Sequence, residues 1–343
     1  MRRVTMTAPK QLKFEDNVPD LTAADLKDDE ILLNVKRIGV CGSEIHSYHG
    51  LHPSCIYPVV QGHEYSGVVV AVGKAVKGFA PGDKATARPQ LVCGECGPCR
   101  KGLYNICENL KVQAFHADGA AQDYFIVPQD RAVLLPADMP LDYGAMVEPV
   151  AVGAHATSRV PSMEGKNVVV SGAGTIGNLI AQFAKARGAK KVLITDVSEL
   201  RLQKAKECGI ENTLNVAKTP LKDALPEFFG DEGYQLAFEV AGVEASIQSL
   251  MATIEKGSDI VIVAVFAHNP VIDMEHLGEH ELRLIGTLMY RHEDYLFAVE
   301  QIAKGAINLE PLVSDRFPLM EYDKAYDAIE ANKEGTMKVM IEL

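Results

Sequence analysis

Apolar positions in the first 150 residues come in short runs, Ile31–Val35, Ser66–Val72, Tyr124–Val127 and Ala132–Leu135, each closed by clusters of Gly, Pro and Asp. Runs of that length bounded by turn residues predict strands, so this stretch reads as β-rich and turn-rich. The pattern changes after Pro149. From Asn167 an apolar run with a Gly-rich turn, VVVSGAGTIG, passes into a helical NLIAQFAKARG, then KVLITD, then SELRLQKAKECG. Strand, turn, helix and strand in alternation predict parallel βαβ units. The alternation continues through LAFEVAG (236–242) and DIVIVAV (259–265) to LIGTL (284–288). The tail has a helical EDYLFAVEQIAKG and a last strand, MKVMIEL. By pattern alone it can complete either domain.

The expected fold class is therefore α/β, with a β-rich domain over 1–150 and a doubly wound parallel sheet over 151–289. A chain of 343 residues suits two domains, and 47% hydrophobic with 23% charged residues is an ordinary globular composition. Lys and Arg number 34 against 46 Asp and Glu, a net charge of −12. That balance argues against nucleic acid or an anionic membrane as partner. The opening MRRVTMTAPKQLKFEDNV has no apolar core behind its arginines, so no signal peptide is expected. No apolar window of about 18 residues exists for a spanning helix. The expected compartment is the cytoplasm, where clustered cysteines serve as metal ligands or catalytic groups rather than disulfides.

Gly172, Gly174 and Gly177, with Ile176 inside the turn, form G-x-G-x-x-G between a predicted strand and a predicted helix. The first glycine permits the tight turn and the second lets backbone approach a pyrophosphate. The third lets helix pack on strand, and the helix N-terminus offers free N–H groups to the phosphates. Asp196 ends the next strand about 20 residues on, where a carboxylate accepts from the adenosine ribose hydroxyls and repels a 2′-phosphate. That predicts NAD rather than NADP. The plainer alternative is that Asp196 only ends a strand. Arg201 either flanks the adenine or is a solvated helix residue.

Residues 93–107 read CGECGPCRKGLYNIC and space four cysteines as Cys93-x2-Cys96-x2-Cys99-x7-Cys107. Four thiolates in one compact loop with three glycines and a proline suit tetrahedral structural Zn²⁺. A four-iron cluster run has a shorter last gap and a following proline, which this chain lacks. Such a zinc site is closed and does no chemistry.

Three further pieces carry candidate chemistry: GVCGSEIH with Cys41, Ser43 and His46, GHEYSG with His63 and Glu64, and MVEPVAVG with Glu148. A cysteine, a histidine and a carboxylate from separate segments suit a catalytic zinc with one open position. Singly, each has a plainer reading: a buried small cysteine, a core histidine, a carboxylate opening a helix.

Together with the clip and the fingerprint, in this order, these pieces resemble the zinc-dependent medium-chain alcohol dehydrogenases, nearest the polyol branch of sorbitol, threonine, butanediol and sugar-acid dehydrogenases. The resemblance implies a GroES-like β domain interrupted by a Rossmann domain, with the tail, 290–343, returning to the first. It implies NAD and two Zn²⁺ per chain. Cys41 and His63 would bind the catalytic ion, with Glu64 and Glu148 completing the site directly or through water. Adjacent side chains on a regular strand point to opposite faces, so His63 and Glu64 both ligate only if the backbone bends. Ser43 and His46 would carry the proton, and the four-cysteine loop would be the structural-zinc lobe. Val263, Ala264 and Val265 would line the nicotinamide pocket with Thr287 and Leu288 beside it, unless they are plain core. A homodimer or homotetramer is implied.

Three departures bear on substrate. Met289 and Tyr290 stand where sorbitol enzymes carry an Arg-Tyr pair, with Arg291 next; Ser47 replaces the aromatic after the relay histidine, with Tyr48 following; and Glu44 replaces the commoner Asp. Sorbitol itself is therefore not the expected substrate. The turn His116–Gly119 and the IYP segment at 56–58 point to a polyol or a sugar acid as the small-molecule partner. Threonine or a vicinal diol such as butanediol is the alternative, and a non-enzymatic NAD-binding structural protein the remote one. Cys55 and Cys208 have no assigned role.

Overall fold

The short apolar runs of the first 150 residues are strands. A computed structural model describes residues 1–343. The chain divides into two compact units, Met1–Glu148 with Arg291–Ala303 and Val313–Leu343, and Pro149–Tyr290 with Lys304–Leu312. No helix is long and apolar enough to cross a membrane.

In chain order the first unit runs β1 (Arg3–Ala8), β2 (Gln11–Glu15), β3 (Glu30–Val40), α1 (Gly42–Tyr48), β4 (Val59–Val60), β5 (Glu64–Val72) and β6 (Lys84–Ala87). It continues through β7 (Gln90–Leu91), α2 (Gly97–Arg100), β8 (Lys111–Val112), β9 (Tyr124–Pro128), β10 (Ala132–Leu134) and α3 (Leu141–Ala145). The long strand β3 organises the unit, pairing antiparallel with both β5 and β9. Its Ile31, Leu33, Val35 and Ile38 meet Tyr65, Val69, Phe125 and Val127 in the core. Register shifts in the β3–β5 ladder, between Leu32 and Leu33 and between Val35 and Arg37, mark bulges that bend the pair.

Helix α4 (Val147–Ser158) leads into β11 (Asn167–Ser171), α5 (Thr175–Ala186), β12 (Lys191–Asp196), α6 (Glu199–Glu207), β13 (Asn212–Asn215) and α7 (Leu221–Phe229). Then follow β14 (Leu236–Glu239), α8 (Glu244–Thr253), β15 (Asp259–Ile262), α9 (Met274–Glu279) and β16 (Arg283–Gly286). The sheet is wholly parallel, ordered β13-β12-β11-β14-β15-β16. Every residue of β11 is buried because helices cover both faces. Its alternation sends Val168 and Val170 to one core with Ile180, Ile194 and Phe238, and Val169 to the other with Leu193, Ala237 and Ile260. The strand order reverses between β11 and β14, the point where ligands bind open α/β sheets.

The tail enters as α10 (His292–Ala303), β17 (Val313–Pro318), α11 (Tyr322–Ala331) and β18 (Lys338–Glu342). Strand β18 lies between β17, parallel to it, and β3, antiparallel. The first boundary falls after Glu148 rather than 150, and Tyr290 stays with the second unit; beyond these one-to-two-residue shifts, Lys304–Leu312 departs from the expectation that 290–343 completes the first domain and groups with the second unit. The cause is local. Asn308 N–H donates to Gln182 Oε1 at 2.7 Å, Gln182 Nε2 donates back to Asn308 O at 3.2 Å, and Ile307, Leu309 and Leu312 are buried.

Candidate active site

Cys41 follows β3 and stands immediately before α1, which sets Ser43 and His46 three residues apart on one helical face. Ser43 Oγ lies 3.7 Å from Cys41 Sγ, and His46 is exposed. The helix is pinned by Tyr57, whose hydroxyl donates to Ser47 O at 2.5 Å. His63 sits in a bend just before β5, and Gly62 beside it has φ +90°, a conformation that favours glycine. A Cβ at Gly62 would also press on Ile38 and on the Ala121 backbone. The bend interrupts regular strand geometry at His63. It brings ligand atoms of Cys41, His63 and Glu64 all within 4.8 Å of one another, with His63 and Glu64 buried. Glu148, buried in the first turn of α4, is not part of that set.

Around the trio stand residues that sequence reading did not single out for these roles. Glu44, fully buried, places Oε1 at 2.9 Å from His63 Nδ1 and accepts from the Tyr322 hydroxyl at 3.0 Å through Oε2. Lys338 donates to both Glu64 oxygens, at 2.7 and 2.6 Å. Burial alone would lower the pKa of His63, but Cys41 and Glu44 outweigh it and raise it well above the ordinary range. A soft thiolate, an imidazole and nearby carboxylate oxygens are a donor set for zinc. A carboxylate beside the imidazole nitrogen is the usual device that orients a metal-binding histidine.

In the clip, sulfur–sulfur separations are 3.6 Å (Cys93–Cys107), 3.8 Å (Cys96–Cys107) and 4.0 Å (Cys93–Cys99). Zinc bonded to four sulfurs at 2.3 Å sets tetrahedral S···S distances near ~3.8 Å, so the four residues fit that ion. Backbone N–H groups of Cys96, Cys93 and Asn109 point at the sulfurs. The N–H groups of Glu95 and Cys96 pull the Cys93 thiol down to about 6, while burial pushes Cys99 up to about 12. All seven cysteines are free thiols; Cys55 is half-buried and Cys208 buried.

In the second unit Gly172 has φ +108°, and a Cβ there would meet Ala241 N at 2.9 Å. A Cβ at Gly177 would strike Gly172 O, whereas Gly174 opens on empty space where a ligand phosphate could approach. Ile176 packs against the core beneath the turn. Buried Asn178, which the fingerprint does not name, donates to Ala173 O at 2.7 Å and holds the loop. Asp196 accepts from Val197 and Ser198 N–H through Oδ1 and from Ala173 N–H at 2.7 Å through Oδ2, with Arg201 at 3.9 Å. It therefore shapes the glycine loop as well as ending its strand. Val265 is 93% exposed and Leu288 46% exposed, so neither is core. Val263 packs on the core instead, and Ala264 and Thr287 are intermediate. Tyr290 is fully buried and Arg291 pairs with Glu293. The His116–Gly119 turn works as scaffold too, with Asp118 accepting from Val60 N–H at 3.0 Å.

Residues 27–137 match the alcohol dehydrogenase GroES-like domain model, and 175–304 match the zinc-binding dehydrogenase model. The chain is 37% identical over 314 residues to 2-dehydro-3-deoxy-L-galactonate 5-dehydrogenase of Pseudoalteromonas atlantica, covering 91% of each chain. The chain belongs to the zinc-dependent medium-chain alcohol dehydrogenases. This dehydrogenase is also 30% identical to sorbitol dehydrogenase of Bacillus subtilis, over 98% of its own length and 99% of the other's. A solved structure from Sinorhizobium meliloti 1021, bound to NADP, superposes with a TM-score of 0.90 at 28% identity, covering 100% of this chain and 99% of that one. The dehydrogenase is thus an oxidoreductase of secondary alcohols, of the polyol branch, and works with a nicotinamide cofactor.

Proposed function

We propose that the dehydrogenase oxidises a secondary hydroxyl of a sugar acid or related polyol with NAD, at a zinc held by Cys41 and His63. The observation that carries this reading is the gathering of Cys41, His63 and Glu64 at the end of β3, with Ser43 beside the thiol. A zinc ion bound there supplies a Lewis acid that lowers the pKa of a substrate hydroxyl. When bound, the nicotinamide supplies the hydride acceptor for the carbinol carbon.

The chain's own residues supply the rest. Glu44 holds the His63 ring in one orientation, and Tyr322 holds Glu44. Ser43 takes the hydroxyl proton and passes it to His46, which releases it to water. The balance is one alcohol and NAD⁺ giving a ketone, NADH and one proton. Glu148 completes the site in the family's manner, and the clip holds a second, structural zinc. Asp196 supports NAD over NADP, since its carboxylate repels a 2′-phosphate. A sugar acid is placed first because the relative sharing 37% identity is named for one. We place the enzyme in the cytoplasm as a dimer or tetramer, which light scattering reads directly.

The test joins metal content to turnover. Purified protein should hold two zinc per chain and reduce NAD with sugar acids or polyols, more slowly with diols and threonine. Cys41→Ala should lose one zinc and at least about a thousandfold in kcat while keeping its circular dichroism. A Cys41→Ala protein with full activity would sink the assignment.

A further inference from the structure

We propose that His52 and His116 are specificity-determining residues that bind the carboxylate of a sugar-acid substrate through their Nε2–H groups. The inference rests on the reading of this dehydrogenase as a sugar-acid enzyme with its metal on Cys41 and His63. The two rings are held alike. The backbone N–H of Ser54 donates to His52 Nδ1 at 3.3 Å, and that of Val112 donates to His116 Nδ1 at 3.1 Å. A neutral imidazole whose Nδ1 accepts carries its proton on Nε2, so each ring presents an N–H donor at its far edge. Burial first, then the neighbouring His116, His46 and His63, lower the His52 pKa, which keeps that ring neutral near pH 7.

The two donors stand beside the metal site on one aromatic floor. His52 lies flat on Phe115, with ring centroids 4.5 Å apart and planes within 3°, and Phe115 in turn touches the His63 ring at 5.1 Å. One phenyl ring thus separates His52 from a metal ligand, a gap that a five- or six-carbon chain can bridge. His116 follows Phe115 directly, on a turn that is built rigid. Ala114, fully buried, has φ +71°, a left-handed conformation unfavourable for a residue with a side chain. It is fixed there by its own N–H to Ala117 O at 2.8 Å and by Gln61 Nε2 to Ala114 O at 3.2 Å. Strain held in place by surrounding bonds is found where a neighbouring side chain must be aimed. The Ile56 N–H donates to Phe115 O at 2.8 Å and ties the loop that carries His52 to the same turn.

Donors without acceptors suit a carboxylate. Its two oxygens only accept, whereas a hydroxyl drawn out of water also needs an acceptor for its own proton. Sorbitol enzymes carry an arginine where this chain has Met289, so the polar end of the substrate is read differently here. The competing explanation is packing alone, with His52 a cover on Phe115 and His116 an acceptor for its own turn. Packing predicts equal effects on charged and uncharged substrates.

Matched substrates separate the two. Zinc-loaded full-length protein is assayed with NAD on galactonate, gluconate and idonate, and on galactitol, glucitol and iditol, which differ from them only at the acid carbon. His52→Phe keeps a stacked ring and removes the Nε2–H; His116→Leu removes the second donor, and His116→Gln keeps one at similar reach. The ratio of kcat/KM for the best aldonate over its alditol should fall about tenfold in His52→Phe and in His116→Leu, chiefly through KM. In His116→Gln it should stay within about threefold of the wild type. An unchanged ratio in a folded His52→Phe or His116→Leu protein overturns the proposal; if His116→Leu does not fold, His52→Phe decides alone. A wild type that oxidises alditols but no aldonate would overturn the sugar-acid reading and the subsite with it, whereas good aldonate turnover with unmoved ratios overturns the subsite alone.

Discussion

His63 shows what a sequence can and cannot disclose about one residue. Its identity, and that of Cys41 and the four clip cysteines, was legible because few residue types bind zinc and because their spacing is constrained. Its supports were not. Glu44 reaches it from α1, but Tyr322 lies 278 residues from Glu44 and Lys338 lies 274 from Glu64, and no local pattern announces such pairs. Asp196 teaches the converse. Its place at the end of β12 suits a ribose partner, and its bond to the Ala173 N–H gives it a structural duty that no spacing announces. Asp196→Ala should therefore weaken both nicotinamide cofactors through the loop, yet NADP less, because the repulsion of its 2′-phosphate goes too. The ratio of kcat/KM for NAD over NADP should fall by about tenfold, the worth of a charged hydrogen bond. An unchanged ratio in steady-state kinetics would leave Asp196 with the loop alone.

At the scale of elements, the βαβ alternation was the clearest signal, since β-branched runs and a Gly-rich turn leave little choice of structure. What it did not reveal is how the elements' ends are held. Glu239, fully buried at the end of β14, accepts from Ala241 N–H at 3.1 Å and Gly242 N–H at 3.0 Å. The turn so fixed packs on Gly172, the first fingerprint glycine. Burial raises the Glu239 carboxyl despite those donors. The folded pKa thus lies above the unfolded one. The carboxyl's contribution to stability is full below the unfolded value and fades as pH rises through the folded one. Glu239→Gln keeps an oxygen for both N–H groups and cannot ionise. Measured by urea unfolding, its stability relative to the wild type should rise from acid to neutral pH; a difference flat across that range would show that Glu239 is equally stable charged.

The whole molecule poses a question that neither residue nor element answers, namely where the last strand belongs. MKVMIEL reads as a strand for either domain, because pairing partners are chosen by tertiary packing and not by propensity. In the structure it lies against β3, so the first unit is assembled from three separated stretches of chain. Val339, Met340 and Ile341 are almost wholly buried there. At ~1.5–3 kcal/mol for each such side chain, the strand contributes roughly 5–9 kcal/mol, comparable to the whole stability of an ordinary domain. The same strand also carries Lys338, so the scaffold and the metal site close in one step. A chain ending at Gly335 should lose the β signal of the first unit in circular dichroism. It should also fail to take up cobalt in place of the catalytic zinc at any concentration that loads the full-length protein. The parallel sheet of the second unit has all six strands between β11 and β16 and loses none of them. If the shortened chain still bound cobalt with the native spectrum, β18 would be a cover on a finished unit, and the site would be held by β3 and β5 alone.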